Sequence, residues 1–413
     1  MDIIYYTLFP WDNAYSSVSL SFTREFAKNH RVFYINPPYT VMDVARGRND
    51  KMVKERLGDQ FRRKTRYEQI PNLDNVIAVH PPMVLPINFL AAGSGSYGRL
   101  QRWNSEVVFK AVEQVVRDYQ LKDYIFLNCF NPFHGAVLPR PRFRPLLNIY
   151  QCIDDMYEED YTAKHAARLE EKAIAEADIA LVTSRNLHKL KARHNPNTHI
   201  LHNAMEPKFF KKAMEESLPR PKELQGVSGK VIGFTGNINE YRLNYELIKA
   251  VATHHSDKTL CMVGPLNSND YIEHGLDKMP NVIFTGGKHI SELPNYLQHF
   301  DCTIIPFHCN RLTASVYPLK INEYLAAGKP AISTNFSEDI QSFKKDIYLA
   351  DNQEAFLQLI DRAIAEDNEQ RRQERVATAF TNTWEVRVQQ FWDIVETHLA
   401  KRGVTAGESL VVE

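Results

Sequence analysis

Short apolar strands alternate with helices along the second half of the chain, and this alternation limits the possible folds more than any other feature of the sequence. Strands are predicted at residues 231–234, 259–263, 282–284, 303–305 and 331–333. Helices are predicted between them, near residues 244–253, 291–298, 319–327 and 339–344. Strands connected by helices pair in parallel, because the helix carries the chain back across the sheet. The second half is therefore expected to form an open α/β sheet.

The first half shows the same pattern with longer interruptions. Strands are predicted at residues 3–6, 31–35, 124–127, 146–150, 179–183 and 199–201. A long helix is predicted from residue 100 to 119, and its apolar stripe consists of Trp103, Val107, Ala111 and Val115. A chain of 413 residues is too long for one simple core, so two domains are expected.

Composition suggests where the domains divide. Prolines and lysines concentrate after the first set of strands, which is typical of a linker. The predicted first domain, linker, second domain, last helix and loose tail span residues 1–205, 206–228, 229–380, 381–400 and 401–413. The apolar face of the last helix is predicted to consist of Trp384, Val388, Phe391 and Val395.

The helix predicted at residues 319–327 has well-defined ends and two charged side chains near its start. Pro318 fits the entry to a first turn, and Gly328 fits a left-handed exit. Lys320 and Glu323 are three residues apart and therefore lie on one face. A helix N-terminus attracts an anion, a lysine there adds charge toward phosphate, and a glutamate one turn on can accept both hydroxyls of a ribose. The pair predicts a sugar-nucleotide site, although one Lys-x-x-Glu is also typical of a solvated ion pair.

Motifs on both sides of this helix occur in the order of a known family. In the second half they are Gly233-Phe-Thr-Gly-Asn-Ile-Asn239, Tyr245-Glu-Leu-Ile248, Met262-Val-Gly-Pro265, Pro280-Asn-Val-Ile-Phe-Thr-Gly286, Leu293-Pro-Asn-Tyr-Leu297 and Asp301-Cys-Thr-Ile-Ile-Pro306. The first half matches more loosely, through Tyr150-Gln-Cys-Ile-Asp-Asp155, Ala177-Asp-Ile-Ala-Leu-Val-Thr-Ser184 and His202-Asn-Ala204. The helix and these motifs resemble GT-B glycosyltransferases. The wider stretch resembles the bacterial family-four type of teichuronic-acid, capsule and exopolysaccharide synthesis.

The resemblance implies a fold and an activity. The implied fold class is α/β, with two Rossmann-like domains facing a cleft and the last helix crossing back to the first domain. The implied activity is transfer, with retention of configuration, of a sugar from a nucleoside diphosphate sugar to a glycan or polyprenyl-linked acceptor in cell-surface polysaccharide synthesis. The donor is a co-substrate and no cofactor is implied. A UDP-sugar is favoured, with GDP- and dTDP-sugars as alternatives.

The donor is expected to bind the second domain. Small residues at strand ends let the backbone approach a diphosphate, and an arginine just beyond the first strand adds charge. The predicted donor-binding residues are Gly236, Asn237, Arg242, Gly264, Gly286, Ser315, Tyr317, Pro318, Leu319, Lys320 and Glu323. Family members carry two glutamates separated by seven residues. Glu323 matches the second and Ser315 replaces the first, so the donor sugar and the retaining stereochemistry stay open.

The loop after the first strand is the predicted acceptor site, because ligands of such sheets bind at the carboxyl ends of the strands. Trp11 and Tyr15 are expected to stack on a sugar ring, and Asp12 to hold a hydroxyl group. The alternative is that this aromatic loop packs on its own domain. The sequence alone leaves both interpretations open.

The predicted catalytic residues follow two later strands. His134 can bind a donor hydroxyl or a phosphate, and Asp154 with Asp155 can act as a base or hold acceptor hydroxyls. His134 is alternatively structural, and the aspartates alternatively cap a turn or a helix. Two adjacent aspartates with no third ligand nearby make a poor cation site, so no metal is predicted.

Charge indicates where the protein is expected to work. Lys+Arg and Asp+Glu number 50 each, so no overall field favours nucleic acid. Residues 46–66 carry a local basic excess and residues 79–90 are apolar and proline-rich, which predicts contact with an anionic inner leaflet. A solvated insertion is the alternative. The five cysteines lack paired spacing, and no long apolar run is present. A cytoplasmic protein, peripheral on the inner face of the membrane, is expected.

Two other functions are compatible with the same motifs. One is a GT-B sugar-nucleotide epimerase or a phosphorylase, and the second of these should need inorganic phosphate and no nucleotide. The other is a non-catalytic sugar-nucleotide sensor, which Ser315 makes plausible because a motif carboxylate is missing. Nucleotide binding and turnover distinguish the three functions.

Overall fold

The computed structural model describes residues 1–12, 17–47, 64–135, 143–158 and 163–404 of the chain. They belong to two compact units. The first unit is composed of Met1–Thr183, Leu187–Leu201 and Val388–Glu413, and the second of Ser184–Asn186 and His202–Arg387. Within the described ranges, no helix is both long and apolar enough to cross a membrane.

The first unit is built on a mostly parallel sheet. Its strands are β1 Asp2–Thr7, β2 Arg31–Ile35, β3 Arg66–Gln69, β4 Val76–His80, β5 Tyr124–Cys129, β6 Leu147–Cys152, β7 Ile179–Val182 and β8 Thr198–Ile200. They lie in the order β3-β4-β2-β1-β5-β6-β7-β8, and β3 is antiparallel to β4. The helices are Val18–Phe26, Val41–Arg46, Gly95–Asp118, Pro132–Gly135, Ala166–Glu176 and Arg185–Lys191.

The second unit is built on a parallel sheet. Its strands are β9 Val231–Thr235, β10 Thr259–Val263, β11 Val282–Phe284, β12 Cys302–Ile305, β13 Ala331–Thr334 and β14 Tyr348–Ala350, in the order β11-β10-β9-β12-β13-β14. The α-helices are Pro207–Phe210, Lys212–Glu215, Tyr245–His254, Asp270–Glu273, Leu293–Gln298, Arg311–Ala314, Leu319–Ala326, Gln353–Ala365 and Glu369–Phe380. Short 3₁₀ turns occur at Lys222–Leu224, Leu276–Lys278, Ile290–Glu292 and Ile340–Phe343.

Each sheet has one point where the strand order reverses. In the first sheet this point lies between β1 and β5, and in the second between β9 and β12. The loops that follow the two strands at such a point diverge and leave a crevice at the carboxyl edge of the sheet. The topology therefore marks one candidate ligand position in each unit.

Aromatic residues dominate the core of the first unit. Tyr5 and Tyr34 stack with ring centroids 5.8 Å apart between the paired strands β1 and β2. The last helix, Trp384–Lys401, packs its apolar face here, with Phe391 5.0 Å from the ring of Phe26. The predicted stripe of this helix is confirmed at Trp384, Phe391 and Val395, which are buried.

The long helix of the first unit differs from its prediction in start and orientation. It begins at Gly95 rather than residue 100, because the Ser94 side chain accepts a hydrogen bond from the Tyr97 amide and caps the helix earlier. The predicted apolar stripe is wrong at Trp103, whose exposed fraction is 40%. The stripe is confirmed at Ala111 and Val115, which are buried, and the buried face also includes Val108 and Val112.

Two segments predicted as irregular are regular in the structure. Strands β3 and β4 form an antiparallel hairpin that the sequence analysis did not foresee. Residues 206–228 were expected to be a linker but belong to the second unit. Phe210 and Leu224 are fully buried in its core, and burying two large apolar groups is what fixes this proline-containing segment.

Candidate functional site

The helix Leu319–Ala326 presents its N-terminus at the carboxyl edge of the second sheet, because it follows β12 and leads to β13. Pro318 occupies the cap position, and no side chain caps the helix. The amides of the first turn, which begins at Leu319, therefore lack a side-chain acceptor. Gly328 has φ 66°, which confirms the left-handed exit predicted for it.

Three glycines bring the backbone of neighbouring strands together beside this helix. Gly236 follows β9, and its amide donates to the Val263 carbonyl at 2.8 Å. The Gly264 amide donates to the Gly286 carbonyl at 3.1 Å. A Cβ on Gly264 would lie 1.7 Å from the Gly236 carbonyl oxygen, so only glycine fits there. The ends of β9, β10 and β11 thus form one continuous backbone surface.

The Lys320 side chain lies directly over Gly236. A Cβ on Gly236 would be 2.3 Å from Lys320 Cε, and the φ of 132° at this glycine also disfavours a side chain. The Lys320 ammonium lies 5.5 Å from the ring centroid of Phe234 and 5.3 Å from that of Phe307. Cation–π contacts with these two rings hold the ammonium at the crevice between β9 and β12.

Burial and like charge act together on this lysine. Burial lowers the pKa of Lys320, the positive charge of Arg242 lowers it further, and Glu323 opposes the shift. Burial also raises the pKa of Glu323, and Lys320 opposes that change. Lys320 and Arg242 therefore bring two positive charges to a partly buried site that holds one carboxylate, that of Glu323. Such an arrangement favours the arrival of an anion with more than one negative charge.

The loop carrying Arg242 is tied to its surroundings by hydrogen bonds. The Arg242 amide donates to Asn239 Oδ1 at 3.2 Å, and its carbonyl accepts from the His308 amide at 2.9 Å. Asn237 Oδ1 accepts from Asn267 Nδ2 at 2.9 Å. The predicted residues Asn237 and Arg242 consequently lie on a turn with a defined shape beside Gly236.

Ser315 and Tyr317 are buried, and their polar groups have protein partners. Ser315 Oγ accepts from Asn186 Nδ2 at 2.9 Å, and the Tyr317 hydroxyl accepts from Asn322 Nδ2 at 3.2 Å. The Tyr317 ring stacks on His202 with centroids 4.5 Å apart. These contacts fix the loop before the helix.

Sequence analysis missed Phe234 and Phe307, whose rings contact the Lys320 ammonium. Phe234 is the penultimate residue of β9, and Phe307 lies two residues beyond the end of β12. The signal available in the sequence was an aromatic residue close to a glycine turn or a strand-terminal proline. That pattern is too common to single them out without the sheet order.

In the first unit, contacts within the protein occupy one of the predicted catalytic residues. Asp155 is 7% exposed, accepts from the Tyr157 amide at 3.2 Å and lies 3.9 Å from Lys191 Nζ. Lys191 in turn pairs with the buried Glu170 at 2.6 Å. Asp155 thus caps a turn and belongs to a buried ion cluster, which is the alternative that the sequence left open. The carbonyl of Asp154 accepts a weak hydrogen bond from Cys152 Sγ at 3.4 Å.

His134, Asp12 and Asn131 line a cavity of about 700 Å³ at the carboxyl edge of the first sheet. Asn131 Nδ2 donates to the Thr7 carbonyl at the end of β1. Burial lowers the pKa of His134 to about 4, so its imidazole is neutral near pH 7. The indole nitrogen of Trp11 is buried without a hydrogen-bond partner. Tyr15, the third predicted acceptor residue, lies outside the described residues.

Among the described residues, His254, His255 and Asp361 come close enough to share a cation. The Lys258 ammonium already lies 3.0 Å from Asp361 and 3.5 Å from His255 Nδ1. A lysine in this position repels a metal ion and satisfies the carboxylate. The group is therefore better explained as a surface ion pair.

Comparison with known proteins assigns the second unit. Residues 229–366 match the family of glycosyl transferases group 1. The chain carries a group 1 glycosyltransferase domain. The glycine turns, Arg242, Lys320 and Glu323 all lie within this domain. The resemblance to glycosyltransferases of the family-four type is confirmed at this level.

A curated relative supports the same assignment. It is TuaH of Bacillus subtilis (strain 168), whose name describes a glycosyltransferase of teichuronic acid biosynthesis, and it is 32% identical over 194 residues. The match covers 46% of this chain and 48% of the relative, so it spans about half of each protein.

Solved structures extend the comparison to the whole fold. Sucrose-phosphate synthase from Thermosynechococcus elongatus superposes with a TM-score of 0.65 at 13% identity, covering 97% of this chain and 100% of that one. Anabaena HepE in complex with UDP superposes with a TM-score of 0.64 at 13% identity, covering 96% and 100%. At this identity the likeness concerns the fold alone. The expected GT-B fold, with two sheets of mostly parallel strands, is confirmed.

Proposed function

We propose that this protein is a glycosyltransferase that moves a sugar from a nucleoside diphosphate sugar to a glycan or lipid-linked acceptor in the synthesis of a cell-surface polysaccharide. The group 1 domain and the name of the Bacillus subtilis relative support the reaction class and the pathway type. UDP is the favoured nucleotide, since a protein of the same fold is described in complex with UDP. GDP- and dTDP-sugars are the alternatives to be tested.

One observation carries the proposal: Lys320 and Arg242 lie close enough to lower the pKa of the lysine, at the uncapped start of a helix and over a glycine turn. A diphosphate bound there would supply two or more negative charges to the site formed by Lys320, Arg242 and the start of the helix. It accepts a hydrogen bond from the ammonium, lies at the positive end of the helix, and removes the repulsion between the two cations. The carboxylate of Glu323, one turn deeper, is placed to accept the ribose hydroxyls.

The chemistry then rests on stabilising the leaving group. The bond between the anomeric carbon and the diphosphate oxygen breaks, and its electron pair stays on the nucleoside diphosphate. The acceptor hydroxyl oxygen forms the new bond to the anomeric carbon from the same face, and its proton passes to an oxygen of the departing diphosphate. Lys320, Arg242 and the helix N-terminus lower the energy of the departing diphosphate. We propose this route without a metal ion and with retention of configuration.

The acceptor is proposed to bind the first unit, at the cavity lined by Asp12, Asn131 and His134. The neutral imidazole of His134 can donate or accept a hydrogen bond from a sugar hydroxyl. Contact with the inner leaflet of a membrane is part of the proposal. Exposed apolar side chains at Val41, Met42 and Phe89 support it, with exposed fractions of 56%, 48% and 74%.

A thermal-shift experiment with UDP tests the donor site. We compare the wild type with Lys320→Met, which keeps the aliphatic packing and removes the charge, and with Lys249→Ala as a control at an exposed lysine. At 100 times its Kd, UDP should stabilise the wild type and the control by about 2.7 kcal/mol, or roughly 5–10 °C in a unit of this size. Lys320→Met should show a much smaller shift. Equal shifts in all three proteins would contradict the phosphate role.

A turnover assay then separates the enzyme from its rivals. A glycosyltransferase releases UDP from a UDP-sugar in proportion to acceptor, and the anomeric configuration of the product reports retention. An epimerase changes the sugar without releasing UDP, and a phosphorylase requires inorganic phosphate. Binding of UDP-sugars with no turnover on any acceptor would indicate a sensor.

A further inference from the structure

The cavity of the first unit contains polar atoms that are buried and have no hydrogen-bond partner. They are Asn131 Oδ1, the Tyr97 hydroxyl and His134 Nδ1. Asn131 is 1% exposed and Tyr97 is 6% exposed, and all three residues line the same cavity. A buried polar atom without a partner costs free energy, so native proteins rarely leave several of them in one place. Their shared position indicates a hydroxylated ligand.

Apolar, exposed side chains also line this cavity. Met42, Leu85 and Phe89 line it, with exposed fractions of 48%, 37% and 74%. Hydrogen bonds to neighbouring elements hold the loop that carries two of these side chains. Asn104 both donates to the Leu85 carbonyl and accepts from the Leu85 amide, each at 2.9 Å. The rim is therefore a fixed apolar surface beside a polar interior.

The same loop is tied down on both sides of Leu85. The Val84 amide donates to the Tyr39 carbonyl at 2.9 Å. Lys164 Nζ donates to the Asn88 carbonyl at 2.9 Å. A protein that holds Phe89 in this way keeps an apolar side chain in water at a cost, which a bound apolar group would remove.

The charges of the cavity decide what kind of head group fits. Its described lining contains the carboxylates of Asp12 and Asp43 and the guanidinium of Arg46. Asp43 is engaged in the cap of its own helix, where it accepts from Thr40. The described part of the lining thus has no surplus of positive charge, so it favours an uncharged head group over a phosphate.

From these observations we infer that the cavity binds an amphiphile whose uncharged, hydroxylated head contacts Tyr97, Asn131 and His134 and whose apolar chain lies along Met42, Leu85 and Phe89. A volume of about 700 Å³ is that of sites holding drug-sized molecules, which leaves room for a sugar and the start of a chain. If the proposed function holds, this amphiphile is the acceptor, a sugar linked to a lipid. That identification rests on the proposed function, whereas the binding site does not.

Calorimetric titration with n-dodecyl β-D-maltoside, below the concentration at which it forms micelles, tests the inference. Maltose supplies the head alone, and dodecylphosphocholine supplies a chain with a phosphate head. We expect dodecyl maltoside to bind at least roughly tenfold more tightly than either, because it alone contacts both the polar and the apolar side chains of the lining. Maltose binding as tightly would refute the apolar part, and dodecylphosphocholine binding as tightly would reduce the site to an apolar patch.

Two variants locate the ligand without threatening the fold. Tyr97→Phe removes a hydroxyl that makes no hydrogen bond and keeps the ring stacked on His165. It should weaken dodecyl maltoside roughly two- to tenfold. Phe89→Ser should weaken it roughly tenfold, whereas Ile200→Ser, at an exposed apolar residue outside the cavity, should have no effect.

The outcomes separate this inference from the proposed function. Equal dodecyl maltoside affinities in the wild type, Tyr97→Phe and Phe89→Ser would overturn the inference, whatever UDP does. Normal UDP stabilisation in all of these proteins would then leave the donor site intact. Conversely, dodecyl maltoside binding as expected with no UDP binding would uphold the site and remove its identification as an acceptor site.

Discussion

Replacing Gly236 by alanine perturbs the donor site at one atom. The new Cβ would lie 2.3 Å from Lys320 Cε and 2.8 Å from Lys320 Nζ. The far end of a lysine is flexible, so the side chain can move away while the strand stays in place. The ammonium would then leave its position between the rings of Phe234 and Phe307. The main effect should therefore be on binding.

Two separate magnitudes follow from this geometry. Gly236 has φ 132°, and holding a non-glycine residue in such a region costs about 1–3 kcal/mol of the free energy of unfolding. For a unit of this size, that corresponds to a melting temperature lower by roughly 2–12 °C. Losing a hydrogen bond from a charged donor to phosphate costs about 1.5–3 kcal/mol, or roughly 10- to 150-fold in UDP affinity.

Calorimetric titration of UDP and thermal unfolding measure the two effects separately. Gly226→Ala is the matched control, because Gly226 has φ 83° and no atom within 4 Å of a new Cβ. Both variants should lose stability, and Gly236→Ala alone should lose UDP affinity. If Gly236→Ala melts lower but binds UDP like the wild type, Lys320 does not bind the diphosphate from its observed position.

Three further predictions concern charge. Burial lowers the pKa of Lys320, so its ammonium loses its proton at a lower pH than an ordinary lysine does. UDP affinity should therefore fall as pH rises above neutrality. Titrations of UDP across this range should show no such fall in Lys320→Met. Burial lowers the pKa of His134 from 6.5 to about 4, so the unfolded chain takes up this proton first. The first unit should therefore lose stability as pH falls through that window, and urea unfolding should show a smaller loss in His134→Gln. Glu170→Gln leaves Lys191 buried beside an uncharged partner and should cost about 3–5 kcal/mol in urea unfolding. The exposed control Lys172→Ala should cost less than about 1 kcal/mol, and similar costs for both would contradict the assigned burial.

The second unit was largely predictable because its signals are local. The five predicted strands begin and end within one residue of their predicted limits, whereas β14 was not predicted. The helix at Leu319 begins after a proline and ends before a left-handed glycine, both visible in the sequence. The sequence did not show that residues 206–228 pack into this unit. Proline and lysine indicate a linker on average, whereas Phe210 and Leu224 are buried by contacts distant in the chain.

The first unit was harder to predict because its interruptions carry structure of their own. The hairpin of β3 and β4 depends on pairing across the sheet, and β4 joins β2, which lies more than forty residues earlier. Asp155 looked like a catalytic carboxylate because it follows a strand. Its partner Lys191 lies 36 residues further on, so the ion cluster that occupies it was hidden from local reasoning.

Sheet order adds to the sequence-based case for Lys320 as a phosphate-binding residue. The sequence placed it at a helix N-terminus, which alone would make a weak anion site. The structure adds that β9 and β12 are neighbours, paired at Thr303 and Gly233, so the turn after one strand meets the helix after the other. That adjacency brings the charge of Arg242 to Lys320 and places both over Gly236. Without a bound anion, burial and the nearby charge of Arg242 make the Lys320 ammonium costly to the fold. A diphosphate would reduce that cost, so donor binding and the stability of the second unit should rise together.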